Sequence, residues 1–193
     1  FGHSLPAPLV LILCIVVSIL AGAIWAVIPA IFKAFWNTNE TLFTLMMNYI
    51  AIQIVSYFTY IWSSNKGNNV INTINSDNHA GWLELPSSVD KYGYLLNILI
   101  VAALTVMMYF YLNKSKQGYE IAVVGESINT ARYAGINVKK VIIRTMLISG
   151  VLCGVAGLLL VSGTDHTITP NTAAGRGFTA IMVSWLAKFN PFF

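Results

Sequence analysis

Leu9–Ile31 reads LVLILCIVVSILAGAIWAVIPAI, an apolar run with no Asp, Glu, Lys or Arg. About 20 such residues carry a helix across roughly 30 Å of hydrocarbon, so this run is long enough to span alone. Three further runs qualify: Thr41–Trp62, Tyr94–Leu112 and Val141–Val161. The last holds Arg144 near one end, where a long side chain can snorkel to the interface. Phe178–Leu186 is apolar but too short to span, and reads as a re-entrant helix or the start of another span. The composition agrees: 56% of the 193 residues are hydrophobic and 9% charged, where a soluble domain carries roughly a quarter charged residues. No soluble fold of this size hides so much apolar surface. The expectation is an all-α, polytopic membrane helix bundle with at least four transmembrane helices plus a short or re-entrant one. The chain starts at Phe1 and stops at Phe193, just after an apolar run. We read residues 1–193 as a single transmembrane domain truncated at both ends, with no signal peptide in view.

The connecting segments set an orientation. The formal charge is +4, and the basic residues lie between the apolar runs, as membrane topology demands and nucleic-acid binding does not. Residues 113–140 carry Lys114, Lys116, Arg132, Lys139 and Lys140, whereas 63–93 carry only Lys66 and Lys91 against Asp77, Glu84 and Asp90. The positive-inside rule places 113–140 in the cytoplasm. By alternation 32–40 lie inside and 164–177 outside. Of eleven basic residues, eight then fall inside (Lys33, Lys114, Lys116, Arg132, Lys139, Lys140, Arg144, Lys188) and three outside (Lys66, Lys91, Arg176). The Asn-rich outer segment has turn signals at Lys66-Gly67 and Pro86, and Trp62 and Trp82 suit the membrane boundary.

Small residues mark helix contacts. Gly150, Gly154 and then Gly157 follow one another on one span, and Ser18, Gly22 and Ala26 recur every four residues on another. In lipid, close backbone approach is what lets helices associate. Cys14 and Cys153 lie inside apolar runs and read as small packing residues, not a disulfide. In the inner segment Ser127 suits an N-cap, Ile128–Ala134 can form about two helical turns, and Gly135 suits the position just past the end. Ala131, Ala134 and Gly135 leave one side of that helix smooth. It fits docking into a groove on a soluble partner, or equally an ordinary loop helix. There is no Gly-Lys dipeptide, hence no Walker A phosphate loop, and no HExxH or CxxC. His3, His79 and His166 are isolated, without metal-ligand spacing. Gly175-x-Gly177-x-x-Ala180 fits a dinucleotide fingerprint only formally, since no βαβ unit surrounds it.

Several separated stretches, in order, resemble ABC permeases of the branched-chain amino-acid, ribose and simple-sugar type, most nearly those serving nucleosides or simple sugars. They are Ala21-Gly22-Ala23-Ile24-Trp25 with Ile28-Pro29, and Asn39-Glu40-Thr41 leading to Met47-Asn48-Tyr49-Ile50-Ala51. Beyond the outer segment come Gly118-Tyr119-Glu120, Val124-Gly125-Glu126, Ala131 through Val138, Leu147-Ile148-Ser149-Gly150, and Gly175-Arg176-Gly177-Phe178. Ser127-Ile128 departs from the family's usual Asn-Pro, which bears on how the short helix begins, and Ala187-Lys188-Phe189 replaces a common Gly-Arg-Asn. The resemblance implies a permease subunit of an ABC importer, not itself an enzyme and with no cofactor, in a bacterial cytoplasmic membrane. It implies that Glu126–Ile136 is the helix that couples to a separate ATPase subunit, through Glu126, Ser127, Thr130, Ala131, Arg132, Ala134, Gly135 and Ile136. A second permease subunit, the same or related, and an extracytoplasmic solute-binding protein are the other implied partners.

Solute contact must come from polar groups within the spans, because such groups are expensive in lipid unless they face an interior. Asn48, Gln53, Tyr57, Tyr60 and Asn97 are the candidates, with Gln53, Tyr57 and Tyr60 on one face at i, i+4, i+7. The plainer reading of each is an interhelical hydrogen bond, worth about 0.6 kcal/mol. The spans hold no carboxylate for a proton or sodium relay. The alternatives are an ion-gradient-driven secondary transporter and a membrane scaffold without a transport role.

Overall fold

The computed structural model describes residues 7–63, 71, 82–83, 95–173 and 175–188. They form α1 (Ala7–Trp36), α2 (Glu40–Trp62), α3 (Leu95–Lys114), α4 (Lys116–Glu126), α5 (Ile128–Tyr133), α6 (Val138–Leu160) and α7 (Arg176–Leu186), with a π-helical turn at Val161–Asp165 after α6. No strand occurs among the described residues, so Gly175 and Gly177 sit in no βαβ unit. Among the described residues four helical segments are long and apolar enough to cross a membrane: Leu9–Trp36, Glu40–Trp62, Leu95–Lys114 and Val138–Asp165. They coincide with the four runs expected from sequence. The chain is a polytopic, all-α membrane bundle.

Almost nothing large is buried among the described residues. Ala30, Ala131 and Val141 make up the buried hydrophobic core, while Ile24, Met46 and Leu99 are 65%, 67% and 69% exposed. A water-soluble fold would turn such side chains inward. Here the outward apolar surface is what hydrocarbon solvates.

The bundle is organised around the crossing of α1 and α6. A Cβ added at Gly22 would collide with the carbonyl oxygen of Gly150, one at Gly150 with Ala26, and one at Gly154 with the carbonyl oxygen of Ser18. The order of these contacts makes the two helices antiparallel. Ser18 Oγ also donates to the Gly154 carbonyl at 2.6 Å. Gly157 is different: a Cβ there would meet nothing within 4 Å. Cys14 and Cys153 are both unpaired and exposed, so neither fills a gap in the packing.

Helix ends depart from sequence in two places. α1 continues past Pro29 to Trp36. Pro29 removes one backbone donor, yet it and Ala30 are buried, and helix-breaking residues are tolerated in membrane spans where neighbours cover the freed groups. α7 has 11 residues, about 16 Å of rise against roughly 30 Å of hydrocarbon. It cannot by itself carry Lys188 to the side opposite Arg176. The charge asymmetry then rests on the other ten basic residues, seven against three. The turn signals at Lys66-Gly67 and Pro86 lie outside the described residues, as do His3 and His79.

Candidate functional site

The segment between α3 and α6 folds as two helices, not one. Ser115 ends α3 and begins α4: its hydroxyl donates to the Tyr111 carbonyl at 2.6 Å and accepts from Gly118 N–H at 3.0 Å. Gly118 is required there, because a Cβ would run into the Leu112 carbonyl. α4 was legible only as loop, since Gly118 and Gly125 lower its helix propensity and Val123-Val124 are β-branched. It is held against α6 by Arg144, whose Nη2 lies 2.9 Å from Glu120 Oε2. Arg144 therefore does not simply snorkel to solvent; it ties two helices together.

Ser127 then breaks the chain direction (φ −157°, ψ 118°) and caps α5, accepting from Thr130 N–H at 3.3 Å. The far end is closed by a double bond pattern. Gly135 N–H donates to the Arg132 carbonyl at 3.1 Å and Ile136 N–H to the Ala131 carbonyl at 3.0 Å, with Gly135 at φ +76°. This is the glycine-terminated Schellman closure, in which the left-handed residue satisfies the last carbonyls. α5 thus spans Ile128–Tyr133 with Ala134 as its cap.

The smooth side expected at Ala131, Ala134 and Gly135 divides. Ala131 is fully buried and faces inward, while Glu126, Thr130, Ala134 and Gly135 are exposed. Arg132 and Ile136, with Ile128, turn toward the end of α1 and the start of α6. Tyr133, not singled out from sequence, is 93% exposed and is the most projecting side chain of the helix. Tyr is over-represented among residues that dominate protein interfaces, a signal available in the sequence.

The polar span residues do not form one group. Gln53 and Tyr57, joined by Tyr49, Ile50, Ile54 and Phe58, line an open hollow of about 650 Å³ along α2. Tyr60 is 55% exposed but does not line that hollow, and Asn48 is exposed nearby. Asn97 belongs elsewhere. Its Nδ2 donates to the Gly163 carbonyl at 2.9 Å, pinning α3 to the π-helical turn, and a Cβ at Gly163 would strike the Asn97 amide. That turn gathers a second polar cluster. His166, at φ 50°, stacks on Trp82 with ring centroids 3.9 Å apart, and Asp165 faces Arg176 at 3.9 Å. Neither Asn97 Oδ1 nor His166 Nδ1 has a hydrogen-bond partner among the described residues. A π-turn has no periodic signature in sequence, so His166 read there as isolated. No cluster of three or more His, Cys, Asp or Glu that could hold a metal occurs among the described residues.

A family model described as the permease component of the branched-chain amino acid transport system matches residues 2–192. Among curated proteins, the guanosine ABC transporter permease protein of Bacillus subtilis is 33% identical over 185 residues, covering 94% of this chain and 52% of its own length. The glucose ABC transporter permease protein of Haloferax volcanii is 27% identical, covering 96% and 50%. A nucleoside ABC transporter permease protein of Lactococcus lactis is 24% identical, covering 97% and 53%. The chain thus spans about half the length of the curated relatives it matches. No solved structure matches it.

Proposed function

Because the chain belongs to the permease family of the branched-chain amino acid transport system, we propose that it is the membrane-spanning subunit of an importer powered by a separate ATPase. We further propose a nucleoside or simple sugar as its solute, the class named for the relatives above. The observation that carries the reading is α5. It is capped at both ends, presents Tyr133 and Ala134 outward, and follows α4, which Arg144 ties to α6. A push on α5 passes through α4 and the Glu120–Arg144 pair to α6, and then across the glycine crossing to α1. A partner shifts the permease between outward- and inward-facing states only by binding one more tightly than the other. In this reading α5 is where ATP binding in the partner supplies that difference.

The α2 hollow offers the solute a neutral, almost wholly apolar wall, with the Tyr49 and Tyr57 rings as stacking surfaces. A second permease subunit would wall that hollow, and a solute-binding protein would deliver to the end bearing Trp82 and His166. Residues 113–140 face the cytoplasm in this arrangement, and the membrane is a bacterial cytoplasmic one.

The test is co-purification of the full-length permease with its ATPase, comparing wild type with Ala134→Arg. The wild type is expected to recover the ATPase. The variant places a bulky charge on the outward side of α5 and is expected to lose it while still inserting into the membrane. Equal recovery by both would remove α5 from the contact.

A further inference from the structure

We propose that the hollow between the end of α1, α5 and the start of α6 binds the phosphate of an anionic glycerophospholipid. The hollow holds about 540 Å³ and is lined by Lys33, Phe35, Arg132, Ile136, Lys139 and Ile142 among others, with three cations and no carboxylate in the lining. Of the three cations, only Lys33 pairs with an acid among the described residues, Glu40 at 3.7 Å from its Nζ. Lys139 Nζ stands 4.7 Å over the Phe35 ring, which fixes the ammonium without neutralising it. Arg132 has no ion-pair partner among the described residues. The start of α6 opens on the same space through Asn137, Val138 and Lys139. Asn137 accepts from the Lys140 N–H through its side chain at 3.3 Å and from the Val141 N–H through its carbonyl at 3.1 Å, and the N–H groups of Val138 and Lys139 have no such cap among the described residues, so the positive end of a 23-residue helix adds to the field of the three side chains.

The other half of the lining argues for a lipid as the source of that phosphate. Ile128, Ile136, Ile142 and Phe35 make an apolar wall, of no use to a hydrated ion but suited to the glycerol and first methylenes of an acyl chain. The place is also right. Trp36 at the end of α1 is 66% exposed, and an exposed Trp at a span's end marks headgroup depth, where basic pockets between spans hold anionic headgroups. A lipid seated there joins α5 to α1, a tether independent of the Glu120–Arg144 pair.

The experiment is native mass spectrometry of the purified full-length permease, titrated with phosphatidylglycerol or phosphatidylcholine, with inorganic phosphate as competitor. Phosphatidylglycerol is expected to bind more tightly than phosphatidylcholine. Lys139→Gln and Lys33→Gln should each weaken it about fivefold, the effect of one basic residue near the surface. Lys140→Gln removes the same charge from a neighbouring residue that does not line the hollow, and should leave binding unchanged. Phosphate that fails to compete supports the lipid headgroup. Phosphate that competes, with the same dependence on Lys139 and Lys33, supports the same site reading free phosphate. Equal binding of the two lipids, or equal loss in Lys139→Gln and Lys140→Gln, overturns the proposal. So does a Lys139→Gln variant that keeps the lipid but loses the ATPase, which would assign these cations to an acidic protein face.

Discussion

At the scale of single residues, the crossing of α1 and α6 makes a sharp distinction between glycines that look alike in sequence. Gly150→Ala puts a methyl group into Ala26 and the Gly22 carbonyl. Overpacking of this kind costs about 1–3 kcal/mol, so the melting temperature in detergent should fall clearly. Gly157→Ala places the same methyl in open space and should leave stability unchanged or raise it, since Ala is the better helix former by roughly 1 kcal/mol. Equal effects at the two positions would mean that the crossing is not where the helices meet. The spacing of four was legible in the chain; that Gly150 and Gly154 face α1 and Gly157 does not was hidden, because sequence carries no register between two helices. The Glu120–Arg144 pair was hidden for a similar reason, the two residues being 24 positions apart. Glu120→Gln should loosen α4 by about 1 kcal/mol, a low value because both side chains are about a third exposed. Hydrogen exchange along α4 would report it as several-fold faster opening. The exchanged pair Glu120→Arg with Arg144→Glu should restore protection, which no loss of packing alone would allow.

At the scale of elements, α5 was legible because its caps are local chemistry. Ser127 and Gly135 bracket a short run, and both do in the fold what their residue types suggest. α4 was not legible, because its two glycines argue against a helix that tertiary contacts nonetheless hold. A six-residue helix has little stability of its own, so its ends decide whether it exists. Gly135 sits at φ +76° in open space, where an added Cβ would meet nothing within 4 Å. The cost of a side chain there is therefore conformational and not steric. Gly135→Val should destabilise the closure of α5 by about 1–2 kcal/mol, and Gly135→Asn much less, because Asn enters the left-handed region readily. Measured as ATPase recovered per inserted permease, the order wild type, Asn, Val is expected. The reverse order would show that the left-handed turn plays no part in docking.

At the scale of the whole molecule, the number of spans followed from apolar length alone, whereas their arrangement did not. Gln53, Tyr57 and Tyr60 share a face of α2 at i, i+4 and i+7, while the hollow on that helix is lined by Gln53 and Tyr57 with Tyr49 and stops short of Tyr60. Orientation is the property on which docking by α5 depends, and it is read from charge along the sequence: with Lys188 set aside, seven basic residues fall in segments assigned inside and three in segments assigned outside. Cysteine labelling can read it directly. Cys14 and Cys153 are exposed and unpaired, so a background of Cys14→Ala and Cys153→Ala is needed and breaks no disulfide. Lys140→Cys lies at the start of α6 beside α5, and Asn171→Cys lies beyond the π-helical turn; both positions are exposed. A membrane-impermeant maleimide added to intact cells should label Asn171→Cys and leave Lys140→Cys untouched until the cells are opened. The opposite pattern would put α5 on the side away from cytoplasmic ATP. The helix could then receive no push from an ATPase, and its exposed Tyr133 and Ala134 would have to meet a partner outside the cell.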